Sequence, residues 1–138
     1  MKITVEALVR APLDAVWHAW TDPDDIVRWN AASEDWHTTS ATVDLRAGGA
    51  FSSRMEAKDG SMGFDFEGTY TEVVPQERLA YVMDDARAVL VEFRPEGGAV
   101  RVRETFDAEE TNPAELQREG WQAILDRFAA YVEARASA

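Results

Sequence analysis

The sequence has no cysteine, which removes disulfides, thiolate nucleophiles and cysteine zinc sites together. It has two histidines, His18 and His37, too few for a histidine-based metal centre. Basic residues are scarce: 14 Lys and Arg stand against 26 Asp and Glu, a net charge of −12. A surface this acidic repels phosphate backbones and anionic membranes, so a nucleic-acid partner is not expected. No apolar run approaches the ~18 residues of a membrane-spanning helix. The first residues, MKITVEALVRAP, lack the apolar core of a signal peptide. A cytoplasmic protein with no membrane span is the expectation. The glycine pairs Gly48-Gly49 and Gly97-Gly98 lack the GxxxxGK and GxGxxG spacings of phosphate loops and read as hairpin turns. The acidic clusters Asp22, Asp24 and Asp25, Asp84 and Asp85, and Glu109 and Glu110 lack the calcium-loop pattern. Neither a metal nor a cofactor is expected.

What the chain does have is rings. Five Trp, six Phe and three Tyr are spread over 138 residues, and every Trp lies within residues 17–36 or at position 121. With 46% apolar and 29% charged residues the composition is that of a globular protein. The length suits a single domain over residues 1–138, which buries roughly two-thirds of the surface its unfolded chain exposes.

Residues 3–9 alternate as a strand, with Ile3, Val5, Ala7 and Val9 on one face. Pro12 opens a helix over residues 13–21, where Val16, Trp17 and Trp20 have helical spacing. Thr21-Asp22-Pro23 ends it and starts a short second helix carrying Ile26 and Trp29. Residues 30–40 read as a polar loop. From residue 41 the period becomes two, predicting strands near 41–46, 50–57, 64–74, 78–83, 88–95 and 99–107. Short turns between them imply an antiparallel meander. Asn112-Pro113 reads as a capped helix start, and a stripe of Leu116, Gly120, Trp121, Ile124, Leu125, Phe128, Tyr131 and Val132 carries a helix to about residue 135. The expected class is α+β.

Several segments carry a resemblance: Ala11-Pro12 followed by Val16-Trp17, Trp20-Thr21-Asp22-Pro23 and Trp29; Asp44, Arg46, Gly48-Gly49, Phe51 and Met55; Gly63-Phe64, Phe66, Gly68 and Tyr70; Glu104-Thr105-Phe106; and Gln117, Gly120-Trp121, Ile124-Leu125 and Phe128. In this order the chain resembles the SRPBCC superfamily, the START-like or birch-pollen-allergen-like helix-grip proteins. Within it the chain is similar to the branch named for the activator of the ninety-kilodalton heat-shock protein's ATPase. The resemblance implies a curved antiparallel sheet of six to seven strands wrapped around the long C-terminal helix, with two short helices after the first strand. It also implies a cavity between sheet and helix that takes hydrophobic or amphipathic small molecules. Some relatives are polyketide cyclases or aromatases, and one domain stimulates a chaperone's ATPase.

Given that fold, Trp20, Trp29, Trp36, Phe51, Met55, Phe64, Phe66, Tyr70, Phe93, Trp121, Leu125 and Phe128 are candidates for lining the cavity, with plain core packing the alternative for each ring. Trp121 and Phe128 are the expected helix-side wall, and Gly120 would allow a close approach to the helix. Glu104 shares a face with Val100, Val102 and Phe106 and should point inward, where a lone carboxylate is costly unless paired or protonated; an ion pair with an arginine or an edge position reaching water is the structural alternative. Glu104 is a candidate proton-transfer group or ligand contact, and His37 is the other catalytic candidate. His18 is expected to face solvent. Asp44 and Arg46, two apart on one strand face, are a candidate polar rim or a structural ion pair; Arg54 and Arg87 are weaker inward candidates. No complete catalytic set is visible, so enzyme activity stays open. The first functional reading is a cavity protein whose partner is a hydrophobic or aromatic small molecule. The second is a cyclase- or aromatase-like enzyme. A chaperone partner is not expected, and the chain is expected to be a monomer or homodimer.

Overall fold

The computed structural model describes residues 1–136. Strand β1 (Lys2–Val9) buries Ile3, Val5 and Val9 on one face, as its alternation requires. Pro12 precedes α1 (Leu13–Thr21), which buries Val16 and Ala19. Asp22 caps α2 (Pro23–Trp29) by accepting the Asp24 N–H at 2.9 Å, and Pro23 occupies the first helical position, where a missing N–H costs nothing. Six strands follow: β2 (Trp36–Val43), β3 (Ala50–Ala57), β4 (Gly63–Val74), β5 (Arg78–Met83), β6 (Ala88–Glu96) and β7 (Ala99–Asp107). Helix α3 (Ala114–Ala136) closes the described chain.

The seven strands form one antiparallel sheet in the order β1-β7-β6-β5-β4-β3-β2. The last six pair as a meander, while β1 returns to the β7 edge, so the first and last strands lie together. Register shifts at Thr38/Ser40 and Tyr70/Glu72 are bulges, which bend a strand and sharpen its twist. The sheet curls into a half-barrel. Helix α3 packs on β1 and against α1 and α2. The concave face of β5, β6 and β7 supplies Leu79, Val89, Val91, Val100, Val102 and Phe106, packed with Leu125, Phe128 and Val132 of α3 into one core.

Three local expectations are corrected. Residues 30–40 are not all loop: β2 starts at Trp36 and ends at Val43, so the strand lies earlier than the expected 41–46. It is one of the sheet's two edge strands, and an edge tolerates exposed polar residues such as His37, Thr39 and Ser40. What makes it a strand is pairing with β3, from Trp36 opposite Ala57 to Val43 opposite Phe51. Second, Asn112 does not cap α3. Its side chain donates to the Glu109 carboxylate at 2.7 Å, and the buried Gln117 side chain holds this loop through the Glu109 N–H and the Asn112 carbonyl. Third, Leu116 is not on the buried stripe of α3 but exposed.

Candidate functional site

Between the concave face and the helices lies a cavity of about 450 Å³. Its helix-side wall is built from α1 and α2, where Trp20 lies tilted on Trp29 at 5.0 Å. The Trp29 indole N–H donates to the Ala19 carbonyl at 2.9 Å, which fixes the ring and satisfies its only donor. On α3, Trp121 stacks face to face on Phe106 at 3.9 Å, and its other surroundings include Phe66 at 6.4 Å. On the sheet, Phe51 is the hub: its ring lies 5.8 Å from Phe66, 5.2 Å from Tyr70 and 4.7 Å from Tyr81. Gly68, opposite Phe51 in register, makes this possible, because a Cβ there would meet the Phe51 ring at 2.8 Å and the Val82 carbonyl at 2.7 Å.

Glu104, Tyr70, Tyr81 and Ser53 are the buried polar side chains around the cavity. Glu104 on β7 is only 5% exposed, with Val5 and Val91 opposite it on the two flanking strands. Among the described residues it has no arginine partner: Arg103 turns to Glu6 on the other face, and Arg87 is held by Asp85. Burial alone pushes its carboxyl up to about 8, so at neutral pH it is mostly protonated. Tyr70 is pushed up to about 12 by burial. Tyr81 is raised well above its usual range, first by burial and then by the neighbouring Glu104 and Tyr70. The turn over residues 44–49 braces Tyr70, since the Gly48 N–H donates to the Tyr70 carbonyl and the Tyr70 N–H to the Gly49 carbonyl.

The open end is charged. Asp65, Glu67, Asp84 and Asp85 are exposed lining residues, and Arg87 is the one guanidinium among the residues around the cavity, bonded to Asp85 at 2.8 Å. The mouth is therefore net negative. Sequence reasoning missed Tyr81, Met83 and this acidic rim. The Leu79, Tyr81, Met83 alternation was a visible signal for the first two.

Of the residues singled out from sequence, Trp20, Trp29, Phe51, Met55, Phe64, Phe66, Tyr70, Glu104 and Trp121 surround the cavity. Others lie elsewhere. Phe93 is wedged edge-on between Trp17 at 5.2 Å and Trp20 at 5.9 Å. Leu125 and Phe128 are fully buried in the core, with Phe128 set against Trp20 and Trp29 at 4.8 and 4.9 Å. Trp36 touches Phe64 at 5.8 Å from outside the cavity wall. His37 is exposed on β2, opposite Glu56. Asp44 and Arg46 are not a rim on a strand; they pair with each other at 3.1 Å on the exposed β2–β3 turn. Arg54 bridges Glu56 and Asp65 instead of facing inward. Gly120 has open space, not a close neighbour, where its side chain would be.

A second polar cluster sits at the other end. His18 approaches Asp22 at 2.9 Å and Asp25 at 3.4 Å, and the Tyr131 hydroxyl donates to Asp25 at 2.5 Å. The ligand atoms of His18, Asp22 and Asp25 lie within 4.8 Å of one another, close enough to hold a cation. They are already engaged with each other, and Tyr131 supplies the buried Asp25 with a donor.

Fold and site together define a helix-grip protein: a curled antiparallel sheet closed by a long helix over an aromatic-walled cavity. The chain belongs to the family of Activator of Hsp90 ATPase homolog 1-like proteins, whose family model matches residues 10–133. It is similar to the AHSA1-like protein from Aeromonas hydrophila at 56% identity, covering 98% of this chain and 94% of that one, with a TM-score of 0.92. It is similar to Chr148 from Cytophaga hutchinsonii at 46% identity, covering 99% and 94%, with a TM-score of 0.84. Protein CV1439 from Chromobacterium violaceum is 26% identical over 96% and 98%, with a TM-score of 0.84. No curated protein matches the chain. Among the described residues no helix is long and apolar enough to cross a membrane.

Proposed function

We propose that this protein binds a hydrophobic, ring-bearing small molecule in the cavity between the sheet and α3. The observation that carries the reading is about 450 Å³ of space walled by Trp20, Phe51, Phe66 and Trp121. Natural cores close such volumes; a hollow of this size lined by rings with a few polar groups suits a ligand. Binding of hydrophobic ligands is common for this fold. A catalytic reading, of the cyclase or aromatase kind, has one observation in its favour: Glu104 is buried beside the space a ligand would fill, with a carboxyl that titrates near physiological pH.

The test is a thermal-shift screen of aromatic polyketides, flavonoids and fatty acids, with Trp fluorescence as a second readout. A ligand at 100 times its Kd stabilises by about 2.7 kcal/mol, a shift of several degrees in a domain of this size. A true occupant moves both the transition and the fluorescence, because Trp20, Trp29 and Trp121 surround the space. No shift and no spectral change across the panel would count against the reading.

A further inference from the structure

Glu104, Tyr70 and Tyr81 share an unusual condition. Each is at least nine-tenths buried and faces the cavity, yet among the described residues none of their side chains makes a hydrogen bond. Buried polar groups are ordinarily paired, so polar groups on a cavity wall that find no protein partner are available to whatever fills the cavity. Tyr70 and Tyr81 face each other across β4 and β5, and Glu104 lies two strands beyond Tyr81 on the same concave face. At neutral pH all three retain a proton, so this end presents O–H donors and no fixed charge.

We propose that the buried end of the cavity is a donor site for one carbonyl oxygen of an uncharged, ring-bearing ligand, with Glu104 and Tyr81 as its principal donors. The proposal rests on the reading that the cavity holds a hydrophobic small molecule. A carbonyl oxygen has two in-plane lone pairs and no hydrogen, so it can accept from two O–H groups on one concave face. A hydrocarbon leaves the donors unpaired. An alkylammonium offers no acceptor and requires Glu104 to ionise among Val5, Val91 and two phenols. A carboxylate must pass Asp65, Glu67, Asp84 and Asp85 at the mouth and shed its water to reach groups that carry no countercharge. The site therefore discriminates by a single oxygen, and it disfavours fatty acids.

Three probes with the same ring body separate these cases: 2-acetylnaphthalene, 2-ethylnaphthalene and 2-naphthoate, titrated at pH 6.5 with quenching of Trp fluorescence as readout. The ketone is expected to bind at least tenfold more tightly than the ethyl compound, and naphthoate more weakly than either. Glu104→Leu and Tyr81→Phe should each narrow the gap between the two compounds, weakening the ketone and, because a donor is no longer left unpaired, tightening the ethyl compound. On binding, the ketone's carbonyl stretch should move to lower wavenumber, and less so in Glu104→Leu. If ketone and ethyl compound bind equally, if naphthoate binds best, or if both variants leave ketone affinity unchanged, the donor site is overturned while the cavity reading stands. If none of the three binds, both fall together.

Discussion

The space under the sheet has two ends built from the same residue types with opposite results. Around Phe93 and Phe128 the rings meet Trp17, Trp20 and Trp29 edge to face, and Phe128 is fully buried. Around Phe51, Phe66 and Tyr81 the ring contacts also exist, but they surround about 450 Å³ of space. The polar groups divide the same way. At the filled end, the buried Asp25 accepts from Tyr131. At the hollow end, the Glu104, Tyr70 and Tyr81 side chains have no hydrogen-bond partner among the described residues. Ring content does not tell a core from a site; polar satisfaction does, because a core cannot keep unpaired donors without cost and a binding site can use them.

The largest expected effect probes the filling itself. Phe128→Ala should destabilise by ~3–5 kcal/mol, since it removes a fully buried ring held by two tryptophans. Phe66→Ala, partly buried on the cavity wall, should cost roughly 1–2 kcal/mol, because the space beside it is already open. Urea unfolding of both variants checks the contrast. Equal costs would mean that the hollow end is packed as tightly as the other.

The next effect is in pH. Glu104 is raised from 4.5 to about 8 on folding, so between those values the folded protein holds a proton that the unfolded chain has released. Stability contributed through this group therefore falls as pH rises through that window, by at most ~1.4 kcal/mol per unit, and the loss vanishes below 4.5, where both states are protonated. Val5 and Val91 flank it on the neighbouring strands, and the titratable group that interacts with it is the Tyr81 phenol, raised well above its usual range; Arg87 is held by Asp85 at the mouth. Glu104→Gln should flatten the slope and, at pH 8, exceed the wild type by roughly 2–4 kcal/mol, while matching it near pH 5. Denaturation midpoints at pH 5, 6.5 and 8 decide it, and parallel curves for the two proteins would mean that water or a cation already compensates the carboxylate.

Much of the fold was legible because local pattern and tertiary role coincide. Val100, Val102, Glu104 and Phe106 alternate in sequence and are all buried, so the inward aim of Glu104 could be read directly. Its lack of an arginine partner could not, because that depends on where Arg87 and Arg103 find carboxylates of their own. Strand β2 was hidden for a related reason: its polar residues suit an edge, and only the ladder to β3 makes them a strand. Phe66 and Phe93 sit on equally regular strands, yet Phe66 borders the cavity and Phe93 is covered by Trp17 and Trp20. That distinction is set by the curl of the sheet, including the bulge after Tyr70, and by where α1 lands on it. Neither is a property of a local window of residues.

The smallest effect is the sharpest test of the comparison, because the chemistry of the change is the same at both ends. Tyr131→Phe removes one hydroxyl at the filled end, and with it the donor to the buried carboxylate of Asp25. His18, largely exposed, is left as the remaining neighbour at 3.4 Å, so the expected cost is about 1–2 kcal/mol. Tyr81→Phe removes one hydroxyl at the hollow end, where no protein partner is lost. Its expected effect on the unliganded protein is within roughly 0.5 kcal/mol of zero, since deleting an unpaired buried hydroxyl leaves nothing newly unsatisfied. Thermal unfolding of the two variants, without added ligand, reads the difference. A Tyr81→Phe cost as large as that of Tyr131→Phe would show that the Tyr81 hydroxyl already has a partner in the empty protein, and the hollow end would then be a satisfied core like the other.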